Sequence, residues 1–142
     1  MKLVKHLLDS KGTEIISITE EASVLDAIKI MAKRSIGSLL VMEDGELKGI
    51  VTERDYARKV IVKGRSSKST QVREIMTPDV CTAKMHQTVN DCMAVMTERR
   101  IRHLPVVDDG EVLGLISIGD LVQAIIADQQ EEIEQLEQYI SS

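Results

Sequence analysis

Aromatic side chains are almost missing from this chain, which has no Phe, no Trp and two tyrosines, Tyr56 and Tyr139. Bases of a single-stranded nucleic acid are held by stacking on such rings, so that class of partner lacks its usual platform. Positive charge is short as well, with 18 Lys plus Arg against 23 Asp plus Glu and a net charge of −5. A field of that sign repels phosphate polymers, so no nucleic acid is expected as partner and any anion site has to be local. The two cysteines, Cys81 and Cys92, fit neither a C-x-x-C redox pair nor a zinc-ligand spacing, and reduced thiols with no metal are the expectation. No apolar run approaches the roughly 20 residues that span a bilayer, and the stretch within Met1 to Gly12 is too short for a signal peptide. A cytoplasmic protein with no membrane partner is expected.

Catalytic parts are also lacking. His6, His86 and His103 are scattered without an acid partner at a motif spacing, and neither a Walker loop nor G-x-G-x-x-G after a strand occurs, so the chain reads as no enzyme and needs no catalytic cofactor. What remains is an ordinary globular balance, 43% hydrophobic and 29% charged over 142 residues. That length buries roughly two-thirds of its unfolded surface, enough for one compact domain or two small intimate ones.

The chain repeats itself. An offset of 65 residues carries Asp55 onto Asp120 and aligns MAKRSIGSLLVMEDGELKGIVTERD, from Met31, with MTERRIRHLPVVDDGEVLGLISIGD, from Met96, without a gap. Arg34 meets Arg99, Asp44-Gly45-Glu46 meets Asp109-Gly110-Glu111, and Gly49 meets Gly114. Upstream, Val24 and Asp26 meet Val89 and Asp91. A unit of roughly 50 to 60 residues is marginal alone and gains by burying a face against its twin.

Each copy reads β-α-β-β-α. Ile15, Ile16 and Ile18 form a short β-prone run, with Val80 to Thr82 in the same place in the second copy. Ser23 and Thr88, each followed three residues on by Asp26 or Asp91, start helices. The buried faces are expected at Val24, Ala27, Ile28 and Met31, and at Val89, Cys92, Met93 and Met96. Strands Ser38 to Met42 and Leu47 to Thr52 follow, joined through Asp44-Gly45, a strong hairpin signal repeated by Asp109-Gly110. Last helices open near Glu53 and Ile118. The final one runs on through Ile133, Leu136 and Ile140, with Glu131, Glu132, Glu134 and Glu137 on its wet side; it either packs back on its own domain or forms a dimer contact. The expected divisions are an N-terminal helix over 1–7, repeats over 8–66 and 74–130, and a helical extension over 131–142.

The ends of the second hairpin strands carry the most chemistry. Gly49-x-x-Thr52-x-x-Asp55 and Gly114-x-x-Ser117-x-x-Asp120 each place a hydroxyl where a strand becomes a helix. Unpaired N–H groups at a helix start suit a phosphate, and a carboxylate suits the vicinal hydroxyls of a ribose. Ser/Thr-x-x-Asp is equally an ordinary helix-capping pattern. In the second copy Arg99, Arg100, Arg102 and His103 crowd before Leu104-Pro105-Val106, either as a solvated charge run or as phosphate ligands.

At these residues, over about Leu8 to Ile126, the chain resembles the paired cystathionine-β-synthase (CBS) domains, the Bateman module, in their small stand-alone form. The resemblance implies an α+β fold in which tandem repeats pack about a pseudo-twofold axis, with nucleotide pockets in the cleft between them. It implies a non-catalytic regulatory sensor of AMP, ATP or NAD(H), working as a homodimer of modules on an unidentified target protein. Asp55 and Asp120 would hold ribose, and Thr52, Arg54, Ser117, Arg102 and His103, with Arg100 beside them, would meet phosphate. Ile15, Ile16, Ser38, Leu39, Val80, Cys81 and Pro105 would enclose the base. Gly119 stands where the first copy has Arg54, which leaves the second pocket without that local cation. A pure oligomerisation or protein-interaction module with no nucleotide bound is the alternative.

Overall fold

The computed structural model describes residues 2–141. They run α1 (Val4–Lys11), β1 (Ser17–Ile18), α2 (Val24–Arg34), β2 (Ser38–Glu43), β3 (Glu46–Thr52), α3 (Glu53–Tyr56), α4 (Val89–Arg99), β4 (His103–Asp108), β5 (Glu111–Ser117) and α5 (Ile118–Ser141). The two Asp-Gly pairs close the hairpins: φ is 50° and 80° at Asp44 and Gly45, and 51° and 74° at Asp109 and Gly110. Left-handed backbone at both central positions makes a type I′ turn, whose twist matches that of the strands it joins. The registers that follow set Ser38 opposite Thr52 and His103 opposite Ser117, and both hairpins slip register at the same place, Val41/Met42 and Val106/Val107.

The elements gather into two units. One holds Ile15 to Cys81, and the other holds the residues up to Glu14 together with those from Thr82 onward. The N-terminal helix therefore lies with the second copy of the repeat, although it precedes the first in the chain.

In the unit from Ile15 to Cys81, β1 lies parallel to β2 and β2 antiparallel to β3. Ser23 Oγ accepts from Asp26 N at 3.1 Å to start α2, which stops at Ser35 in the left-handed region. Val24, Ala27 and Met31 pack with Leu39, Val41 and Val51, and Ile28 is half-buried against them. Each fully buried Val, Leu or Met among them contributes roughly 1.5–3 kcal/mol by leaving water. The helix expected near Glu53 does open there, but after Tyr56 it widens into a π-helical turn, Ala57–Ile61, that buries Val60.

The strand expected at Val80 to Thr82, where the chain passes into the other unit, is not formed. Ala83 alone bridges Val106, donating to Pro105 O at 2.8 Å and accepting from Val107 N at 2.9 Å. The reason lies across the ladder. Leu40 N donates to Ile16 O in the first copy, and its counterpart Pro105 has no N–H to give to Cys81. Thr88 caps α4 as expected, accepting from Asp91 N at 3.0 Å and donating its own N–H to Asp91 at 3.2 Å. Val89, Cys92 and Met96 are buried, and Met93 is half-buried. Helix α5 has 24 residues and buries only Leu121 and Ala124. Ile126, Ile133, Leu136 and Ile140 are exposed, so this chain does not cover the stripe, and near the middle of α5 Asp128 lies 3.9 Å from Lys2, which precedes α1.

Candidate functional site

The two strand-to-helix junctions are closed by their own side chains. Thr52 N and Thr52 Oγ1 donate to Asp55 Oδ2 at 3.0 and 3.1 Å, and Asp55 N donates back to Thr52 Oγ1 at 3.1 Å. In the second copy Ser117 N donates to Asp120 Oδ2 at 2.8 Å, and Asp120 N donates to Ser117 Oγ at 3.2 Å. The capping reading of the motif is therefore realised in both copies, and each carboxylate is fixed in place at a helix start.

A lysine completes each junction. Lys59 Nζ lies 3.1 Å from Asp55 Oδ1 and donates to Ile75 O at 2.8 Å. Lys11 Nζ, from the end of α1, donates to Asp120 Oδ2 and to Leu115 O, both at 2.6 Å. Neither lysine was singled out from the sequence. Lys59 stands four residues after Asp55 on one helical face, a spacing that signals an ion pair. Lys11 is 109 residues from Asp120, and no local pattern could find it.

Charge follows from this geometry. Burial works against ionisation of Asp120, but the bonds from Lys11 and Ser117 outweigh it and hold the carboxyl below its usual range. Burial, followed by the charge of Lys11, pushes His103 below the ordinary imidazole value; Asp120 pulls the other way and Arg102 adds to the depression. Lys11, Arg102, His103 and Asp120 thus form one electrostatic cluster beside Ser117.

The motif glycines have a packing role. A Cβ at Gly49 would stand 2.7 Å from Thr77 O and 2.9 Å from Met76 Sδ, and one at Gly114 would stand 2.8 Å from Leu8 Cδ2. Met76 and Thr77 cover β3 as α1 covers β5, which brings Lys11 over the second junction.

The remaining expected site residues divide between the units. Ile15, Ile16, Ser38, Leu39, Thr52, Arg54, Asp55, Val80 and Cys81 lie in the unit from Ile15 to Cys81. Ser38 is buried opposite Thr52, Leu39 is wholly inside the core, Ile15 and Arg54 are exposed, and Ile16, Val80 and Cys81 are half-buried. The other unit holds Arg100, Arg102, His103, Pro105, Ser117 and Asp120. Arg100 ends α4 in the left-handed region, exposed like Arg102, and Pro105 is buried. Among the described residues no group of His, Cys, Asp and Glu is placed to hold a metal ion, and no helix is long and apolar enough to cross a membrane.

The model of the CBS domain matches residues 4–62 and again 72–127. A mitochondrial CBS domain-containing protein of Arabidopsis thaliana, CBSX3, is 46% identical over 96% of this chain and 71% of its own length. The solved structure of a putative signal-transduction protein with CBS domains from Burkholderia ambifaria is 52% identical, with a TM-score of 0.87 over 90% of this chain and 96% of that one. The CBS domain pair of the protein MJ0100, solved with 5′-methylthioadenosine and S-adenosylmethionine, is 29% identical with a TM-score of 0.80 over 90% of this chain and 98% of that one. With both copies of its repeat matched and relatives of this similarity along nearly its whole length, this chain belongs to the CBS-domain family.

Proposed function

We propose that the protein is a non-catalytic regulatory module that binds an adenosine nucleotide, AMP, ATP or NAD(H), at its strand-to-helix junctions. The observation that carries this reading is the duplicated junction itself. Two copies each hold a hydroxyl, a carboxylate and a lysine at the start of a helix, where a ribose and its phosphate find acceptor and donors together. The 29% identical pair solved with two adenosine-containing ligands supports the ligand class. Asp55 and Asp120 take ribose hydroxyls in this reading, the basic residues Arg54, Arg102 and His103 face phosphate, and the repeats expected over 8–66 and 74–130 are the two ligand-binding halves, with the residues up to Glu14 serving the second. Regulation follows if the nucleotide favours one arrangement of the module over another.

The test is a thermal-shift panel of AMP, ADP, ATP, NAD+, NADH and S-adenosylmethionine on protein freed of co-purified nucleotide. A ligand at about 100 times its dissociation constant stabilises by about 2.7 kcal/mol, a shift of several degrees for a chain of this size. A selective shift identifies the nucleotide, and no shift with any of them leaves the interaction module as the better reading.

A specific observation favours self-association as a second property. Val122, Ile126, Ile133, Leu136 and Ile140 are exposed on one face of α5, at four-, seven-, three- and four-residue intervals that fit the heptad of a coiled-coil seam with Gln129 as its one polar position. Set antiparallel to a second copy, that face brings Val122 opposite Ile140 and Ile126 opposite Leu136, so one surface is complementary to itself.

A further inference from the structure

The second junction receives its cation from a place that duplication does not explain. In the repeat, Lys11 occupies the position of Met76, and Lys59 occupies that of Ala124. The two lysines thus reach equivalent carboxylates from unrelated positions. Their surroundings differ as well. Around Asp55 the charged neighbours in sequence are Glu53, Arg54, Arg58 and Lys59, so a second carboxylate stands beside the first. Around Asp120 the first copy's Glu53 is replaced by Ile118, its Gly37 by Arg102 and its Ser38 by His103. Lys11 and Arg102 then outnumber the single carboxylate, and their charge adds to burial in holding His103 below its ordinary value.

Lys11 is also held in place. It spends two hydrogen bonds on Asp120 and Leu115 O, and an ammonium carries three donors, so one is left for an anion without any movement of the side chain. A cation fixed in this way loses little freedom when a ligand arrives.

We propose that Lys11 makes the Ser117–Asp120 junction selective for phosphate: it supplies the fixed donor that, with Arg102 and His103, takes the phosphate of a nucleotide whose ribose rests on Asp120. The proposal rests on the nucleotide-binding reading and deepens it. Its consequence is discrimination within the adenosine class, with AMP preferred to neutral adenosine and to S-adenosylmethionine, whose sulfonium charge would approach the same cations.

The experiment is calorimetric titration of the full chain and of Lys11→Gln, Lys11→Arg and Lys59→Gln with AMP, adenosine and S-adenosylmethionine. One charge-assisted hydrogen bond corresponds to about tenfold or more in affinity. In Lys11→Gln the preference for AMP over adenosine at one binding event should fall by about that factor while adenosine affinity holds, and Lys11→Arg should retain it. Lys59→Gln should leave that event unchanged. Equal losses of AMP and adenosine in Lys11→Gln would show that the lysine only supports Asp120 and would overturn the proposal, as would an unaltered preference. If the parent chain takes none of the three, the nucleotide reading itself falls; if it binds them and Lys11→Gln changes no ratio, only the role of Lys11 does.

Discussion

Gly49→Ala is the sharpest structural test of why the motif opens with glycine. The new Cβ would lie 2.7 Å from Thr77 O and 2.9 Å from Met76 Sδ, well inside the roughly 3.5 Å of an ordinary carbon contact. Thr77 cannot withdraw freely, because Ile50 N donates to its carbonyl at 3.0 Å and its own N–H donates to Ile50 O at 2.9 Å. Overpacking costs about 1–3 kcal/mol, and weakening two backbone hydrogen bonds adds about 1 kcal/mol each at most. The stiffer unfolded chain returns about 0.4–1 kcal/mol, which leaves a net loss of about 2–3 kcal/mol. Gly114→Ala meets only the Cδ2 end of Leu8, at 2.8 Å, and a flexible side chain can change rotamer, so about 1 kcal/mol is expected there. Urea unfolding of both variants, followed by circular dichroism, measures the gap. Combining each with Leu8→Val should relieve Gly114→Ala and leave Gly49→Ala unaffected. Equal costs for the two glycines, or relief of both by Leu8→Val, would refute the argument that different partners seal equivalent strands.

Other consequences are testable in the same way. His103 titrates below its ordinary value in the fold, so the unfolded chain takes up that proton first. The stability it contributes is complete above about pH 6.5 and is lost as pH falls below it, by at most about 1.4 kcal/mol per pH unit; urea midpoints between pH 7.5 and 5 should fall less steeply in His103→Gln. The same depression means that any gain in phosphate affinity from protonating His103 continues to below about pH 6.5, and affinity for AMP that rises between pH 8 and 7 and is flat below would exclude this residue as the cause. Asp55→Ala and Asp120→Ala should each remove one nucleotide-binding event in calorimetry, and two events surviving in both would overturn the ribose assignment. Leu136→Asp places a charge in the exposed seam of α5 and should leave a monomer by light scattering while the melting temperature of the domain changes by less than about 2 °C; a parent that is already monomeric would discard self-association through this helix.

Much of this molecule is local chemistry, and local chemistry is legible in order along the chain. Asp44-Gly45 and Asp109-Gly110 can adopt two successive left-handed conformations, so the hairpins and their register follow from the sequence alone. Ser23 and Thr88 start helices because a hydroxyl three residues before an amide satisfies an otherwise unpaired donor. The buried positions of α2 and α4 follow the helical period, and the duplication and its family were legible in aligned motifs. The strand expected at Val80 to Thr82 failed because its ladder depends on a residue far along the chain, Pro105, that has no donor to offer. Tertiary structure alone decided the rest. It placed α1 with the second copy, it made Gly49 and Gly114 necessary through Thr77, Met76 and Leu8, and it brought Lys11 to Asp120. Such contacts join residues whose separation in sequence carries no period, so only the folded chain, through packing and charge at close range, brings them together.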